Sequence, residues 1–205
     1  MTPSPDEQIT IIGRRKHTKA SEEYVDVAFN YSDSSFDWSI PIEYRRTGTD
    51  FSRSTEMEIE EHIRQVYAKC DPRNWAGFKK TAEEFWASKP KASVTKEFFD
   101  TLASDFKWKS VKQDLPNNSN SQRRIQDLKE FGFTIATDTR MVNKASGEVS
   151  THHLLLPLAR GGINGYETWS PALRKRIIQI LGGTDAYEIP GGNVHNLLPD
   201  HKFPE

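Results

Sequence analysis

From Phe36 to Tyr44 the chain alternates without a break. Phe36, Trp38, Ile40, Ile42 and Tyr44 are large and apolar, and Asp37, Ser39, Pro41 and Glu43 lie between them. Successive strand residues face opposite sides of a sheet, so this pattern predicts a half-buried strand with one face on a core. Pro41 has no N–H to give a neighbour, which places it at a sheet edge or a bulge. A second run, Tyr24, Val25, Val27, Phe29 and Tyr31, precedes it across the turn residues Asp33-Ser34-Ser35. The two runs predict a β-hairpin. Upstream, Arg14, Arg15, Lys16 and Lys19 surround His17 in a polar stretch, read as an exposed N-terminal arm that is either solvated or in contact with phosphates.

Helical spacing takes over after residue 54. Thr55 and Glu58 form a capping box, in which each side chain satisfies an orphan N–H of the first turn. Ile59, Ile63, Val66 and Tyr67 then share a face, and Asp71-Pro72 ends the helix. Trp75, Phe78, Ala82, Phe85 and Trp86 mark a second amphipathic helix. Ser88-Lys89-Pro90-Lys91 is a break and the expected boundary between a first region, 1–89, and a second, 90–160.

The second region has the most specific order. Ser93 is the expected cap of a helix from Val94 to about Lys107. A short helix, Ser110 to Leu115, follows. Ser119 or Ser121 caps a third helix reaching Phe131, with Ile125 and Leu128 inward, and Gly132 is placed to stop it in a left-handed conformation. A hairpin then begins at Phe133 and Ile135 and returns through His153 to Leu156. The expected fold class is α+β: an N-terminal hairpin and helices, then a winged helix-turn-helix module. Residues 161–205 read as a helix, capped by Ser170-Pro171 and stopped by Gly182, and a linker.

A recognition helix lays its N-terminal residues against base edges in the major groove. Gln122, Arg123 and Gln126 suit that position, since Gln pairs bidentately with adenine and Arg with guanine. Gln122, Gln126 and Lys129 are read as one outer stripe, opposite Ile125 and Leu128. Between Lys107 and Arg124 there are five basic residues against one acid, Asp114, a local +4. The expected DNA contacts are Lys109, Lys112, Ser119, Asn120, Ser121, Gln122, Arg123, Arg124 and Gln126. Arg140 and Lys144 extend the set on the wing, and Arg45 and Arg46 on the hairpin. The charge balance of the chain, 28 Lys and Arg against 29 Asp and Glu, excludes a uniformly basic coat protein and leaves a local basic surface open.

The chain closes on Leu198-Pro199-Asp200-His201-Lys202-Phe203-Pro204-Glu205. Asp-His followed by an apolar residue and Pro resembles the first half of the HNH, or ββα-metal, nuclease motif. With the 41–48 stretch and the winged-helix order, the chain is similar to the N-terminal portion of HNH-type type II restriction endonucleases. The resemblance implies that His201 is the general base, that Asp200 holds a divalent cation such as Mg2+, and that double-stranded DNA is the partner. It also implies a continuing strand and helix, so the chain is expected to be part of a longer enzyme with an incomplete active site. The alternative is a non-enzymatic winged-helix transcriptional regulator or adaptor. A homodimer on a two-fold site is compatible with both.

Other constellations are weaker. Asp26, Glu43 and Arg45 resemble the acid, acid and base of PD-(D/E)XK nucleases, but a guanidinium does not deprotonate and cannot replace the lysine. His152 and His153 are adjacent on a strand and so point to opposite faces, which suits structural histidines better than a metal site. One cysteine, Cys70, excludes an internal disulfide and fits a reducing, cytoplasmic setting. The longest apolar run is as short as Leu154–Leu156, so neither a membrane span nor a secretory signal is expected.

Overall fold

The computed structural model describes residues 8–17, 22–44, 51–53, 55–142 and 147–161, together with Arg176 and Gln179. Four antiparallel strands form the first sheet: β1 (Ile9–Lys16), β2 (Glu22–Tyr31), β3 (Ser34–Tyr44) and β4 (Phe51–Ser52), in that spatial order. The alternation from Phe36 to Tyr44 is β3. Val25, Val27 and Phe29 of β2 lie opposite Ile40, Trp38 and Phe36, so these side chains share one face. Pro41 sits at a bulge, one of the two places expected for it. The β2–β3 register shifts between Glu23 and Tyr24 with Ile42 as the extra residue, and among the described residues β4 pairs with β3 only at Glu43 and Tyr44.

The basic stretch at 14–16 is part of β1 and not an exposed arm. Arg14 pairs with Glu56, Lys16 with Glu23 at 3.2 Å, and Arg15 points into a polar cluster. Ile9 to Ile11 alternate as a strand should, but the register then shifts between Ile11 and Gly13. That bulge breaks the period that would have revealed the strand.

Helix α1 (Glu56–Lys69) has the predicted capping box. The Glu58 N–H donates to Thr55, and the Thr55 N–H to the Glu58 carboxylate. Its buried face, Ile59, Ile63 and Val66, lies against β3. Tyr67 stacks on Tyr31 with ring centroids 4.7 Å apart. The helix ends at Cys70, which is fully buried; burial pushes its thiol up from the usual range. After a 3₁₀ turn at Pro72–Asn74, helix α2 (Trp75–Ala87) begins.

The Ser88–Lys91 break is a second 3₁₀ turn, Pro90–Ala92, and the apolar core runs past it. Trp86 of α2 packs on Phe99 of α3 (Ser93–Leu102) at 5.5 Å, and Phe99 packs on Phe133 at 4.8 Å. Helix α3 is shorter than the sequence suggested. It stops at Leu102, and the chain turns through Phe106, a buried residue with φ of 53°. That turn lets the Phe106 carbonyl accept from Trp38 Nε1 at 2.8 Å.

The rest forms a second sheet with one helix. β5 (Lys109–Ser110) and β6 (Ile135–Val142) flank β7 (Val149–Leu155), in the order β5-β7-β6. The short helix expected at 110–115 is a single turn, closed by the Asp114 N–H on the Ser110 carbonyl at 3.0 Å. In helix α4 (Ser121–Glu130) the N-cap position is Asn120, not Ser119 or Ser121, and its side chain makes no capping hydrogen bond. The Ser121 hydroxyl bonds instead to the Asn118 carbonyl, at 2.5 Å. Gly132 ends the helix as predicted, with φ of 88°. A Cβ there would stand 2.6 Å from the Gly161 carbonyl oxygen, so the close approach requires glycine as much as the torsion does.

The described secondary structure is thus α+β: two antiparallel sheets and four helices. Among the described residues no helix is long and apolar enough to cross a membrane. The chain divides into compact units at 1–165 and 166–205, so the 89/90 break falls inside the first. Of the second unit, Arg176 and Gln179 are described; both are helical and exposed, within the helix expected from 170 to 182.

Candidate nucleic-acid interface

Helix α4 forms because Ile125 and Leu128 bury one side of it against α3 and β6. Its first turn carries no acid. Ser119, Asn120, Gln122 and Arg123 are exposed there, and Ser121, Arg124 and Gln126 are half-buried. Seven of the expected DNA contacts therefore gather on one helix and its cap. Arg140 is exposed on β6. Arg45, Arg46, Lys144, Asp200 and His201 lie outside the described residues.

The local +4 does not survive folding as a bare positive surface. Arg123 reaches Asp127 at 2.8 Å and Glu130 at 3.7 Å, and Arg124 reaches Asp127 at 3.0 Å. Lys109 pairs with Asp105 at 3.0 Å, and Lys112 pairs with Glu148. The acids stand just outside the 107–124 window, or arrive from β7's approach, so a count along the sequence missed them. Burial raises the Asp105 pKa, but hydrogen bonds from Lys109 and the Lys107 amide outweigh it and hold the carboxyl below the usual range.

Lys129 is not on an outer stripe. At 100° per residue it falls beside Ile125, and its side chain is 4% exposed. Its ammonium meets the Glu22 carboxylate at 3.2 Å and Thr137 Oγ1 at 3.4 Å. Tyr24 donates its hydroxyl to the other Glu22 oxygen. Thr137 Oγ1 lies 3.1 Å from His153 Nδ1. Arg15 adds a bond to the Thr137 carbonyl at 2.9 Å, with Asp26 at 3.3 Å and Asp138 at 3.8 Å. A buried polar network thus joins β1 and β2 to α4 and the β6–β7 hairpin.

Above this network, between α4 and the hairpin, is a cleft of about 250 Å³. It is lined by His17, Gln122, Ile125, Gln126, Lys129, Thr137, Thr139, Thr151 and His153. Sequence reading missed it. The available signal was the two-residue spacing of Thr137 with Thr139 and of Thr151 with His153, which puts all four on one face of a hairpin.

The other acid pair does not converge. Asp26 lies opposite Ser39, and Glu43 is four residues further along β3, about 13 Å at a strand's rise per residue. The two cannot share one cation, and Asp26 is taken up by Arg15 and the Ser39 hydroxyl. Both strand histidines are buried, with His152 Nδ1 3.0 Å from the Ser150 carbonyl oxygen. Among the described residues no group of three His, Cys, Asp or Glu side chains is placed to hold a metal ion. The Mg2+ implied at Asp200 would lie outside them.

No family model, no curated protein and no solved structure matches this chain.

Proposed function

We propose that residues 93–155 bind double-stranded DNA, with α4 presented to the major groove and the β6–β7 hairpin beside it as a wing. The observation that supports this best is the order of elements. A helix, a short strand, one turn, a second long helix and a hairpin follow one another, with β5 closing the small sheet on the β7 side. That order leaves the first turn of α4 exposed, with Gln122 and Arg123 on it and no acid.

The ion pairs of Lys112 and Arg123 shape how such binding would behave. Exposed pairs are worth about 0–1 kcal/mol each. A phosphate array can displace their acids at small cost, and affinity then falls steeply with salt as counterions are released. Lys112, 64% exposed against a Glu148 that is 49% exposed, is the best placed to make that exchange; Arg123 is as open, but Asp127 and Glu130 hold it from less exposed positions.

The test is a gel-shift titration of the full chain on mixed-sequence duplexes at low salt. It is compared with an Arg123→Ala, Lys112→Ala double variant, for which each lost phosphate contact lowers the salt slope by about one. No shift for the unmodified chain would sink DNA binding. Equal binding by the variant would move the contact surface off α4. Hydrolysis of the bound DNA through Asp200 and His201 is an extension that rests on the HNH resemblance alone. A regulator or adaptor needs only the binding surface.

A further inference from the structure

We infer that the cleft between α4 and the β6–β7 hairpin is a binding site for one neutral nucleobase, with adenine favoured. The cleft is an internal feature of the first compact unit and is lined on three sides by hydrogen-bonding groups. Gln122 and Gln126, one helical turn apart on α4, supply two carboxamides, of which that of Gln126 also donates to Glu130 at 3.2 Å. Thr139 and Thr151 line it from β6 and β7, and His17, just past the end of β1, completes the lining. Beneath lie Lys129, Thr137 and His153, all at least nine-tenths buried. At about 250 Å³ it lies below the ~300–1,000 Å³ of pockets for drug-sized ligands. One planar ring system suits that space.

The charges argue for a neutral ligand over an anion. The Lys129 ammonium is already held by Glu22 and Thr137, and Arg15 by Asp26 and Asp138. No uncompensated cation on this floor selects a phosphate or a carboxylate. The walls are hydroxyls, amides and imidazoles, which both donate and accept, as the edge of a base does. A glutamine carboxamide matches the N6 and N7 edge of adenine bidentately. The base has two sources with the same chemistry: a free nucleoside, or a nucleotide swung out of a duplex bound on α4. The second source rests on the DNA reading above.

The experiment has two arms on the full chain. In the first, adenosine is titrated into ¹⁵N-labelled protein and followed by NMR. Saturable shifts are expected at the Gln122 and Gln126 side-chain amides and at Thr139 and Thr151. Thr139→Leu, which fills the cleft, should abolish the adenosine shifts, and Thr151→Val, which keeps its shape but removes a hydroxyl, should weaken adenosine by about tenfold, the effect of one lost hydrogen bond of roughly 1.4 kcal/mol. In the second arm, duplexes are added that carry 2-aminopurine next to an adenine; the probe itself lacks the 6-amino group, and it brightens when the neighbouring adenine leaves the stack. Brighter fluorescence on binding, lost in Thr139→Leu while the gel shift persists, identifies the duplex as the source. If no duplex binds, the DNA reading fails and adenosine alone decides the cleft. The inference is overturned if adenosine gives no saturable shift and no bound duplex brightens. It is also overturned if the shifts lie elsewhere or survive both variants.

Discussion

Lys129 shows how one side chain ties together parts of the chain that are far apart in sequence. It reaches Glu22, 107 positions away, with 4% and 0% of the two side chains exposed. Removing one partner leaves an uncompensated buried charge, so Lys129→Met is expected to destabilise the protein by about 3–5 kcal/mol. Adding Glu22→Leu should restore most of that loss, because apolar replacements of a buried pair are often near neutral. Urea unfolding of the two variants checks both statements. At Gly132, alanine meets the Gly161 carbonyl and an unfavourable φ together. A loss of at least about 1–3 kcal/mol is expected in the same assay. His62 gives a pH dependence. Burial lowers its pKa from 6.5, while its Nε2–H donates to the Pro41 carbonyl at 3.0 Å. The fold therefore favours the neutral ring. Its contribution is complete above about pH 6.5 and is lost as the pH falls through the lowered value. A His62→Gln variant keeps a donor for Pro41 and should show a flatter stability profile below pH 6.5. Gly132 was legible in the sequence because a helix stop has a local signature. Lys129 was not, since a lysine is buried only when a distant acid meets it.

Among elements, those built on local rules were legible and those built on partners were not. The strand at 36–44 and the capped start of α1 follow from period and capping chemistry. Replacing Thr55 with alanine removes the side-chain half of the cap and should cost about 1 kcal/mol, read as a lower melting temperature. The Thr55→Ser variant keeps the acceptor and should melt near the parent. β1 escaped notice because its bulge interrupts the alternation and its last three residues are all basic. Their acids, Glu56, Asp26 and Glu23, come from α1 and β2. The same blindness inflated the charge of α4. Asp127 and Glu130 lie on the helix itself, just beyond Arg124. The helix therefore presents amides and hydroxyls as much as cations, which is why the cleft beside it suits a neutral ring.

Across the molecule, the sequence break at 88–91 marks a turn and not a division of the core. Phe78 packs on Phe99 at 6.2 Å, and Trp86 stacks on Phe133 at 5.8 Å with planes 13° apart, so α2 on one side of the break meets α3 and the 133 strand entry on the other. Chains cut at residue 89 should show no cooperative unfolding on either side of the cut. A chain ending at Gly165 should unfold in one transition; two transitions would show that the halves are independent. The buried Cys70 adds one more consequence. It is the only thiol in the sequence, and its raised pKa keeps it protonated while the core is closed. Only a chain that has opened at the end of α1 exposes a reactive sulfur. The rate at which a thiol reagent labels this protein is therefore a clock for that opening, with no engineered probe required.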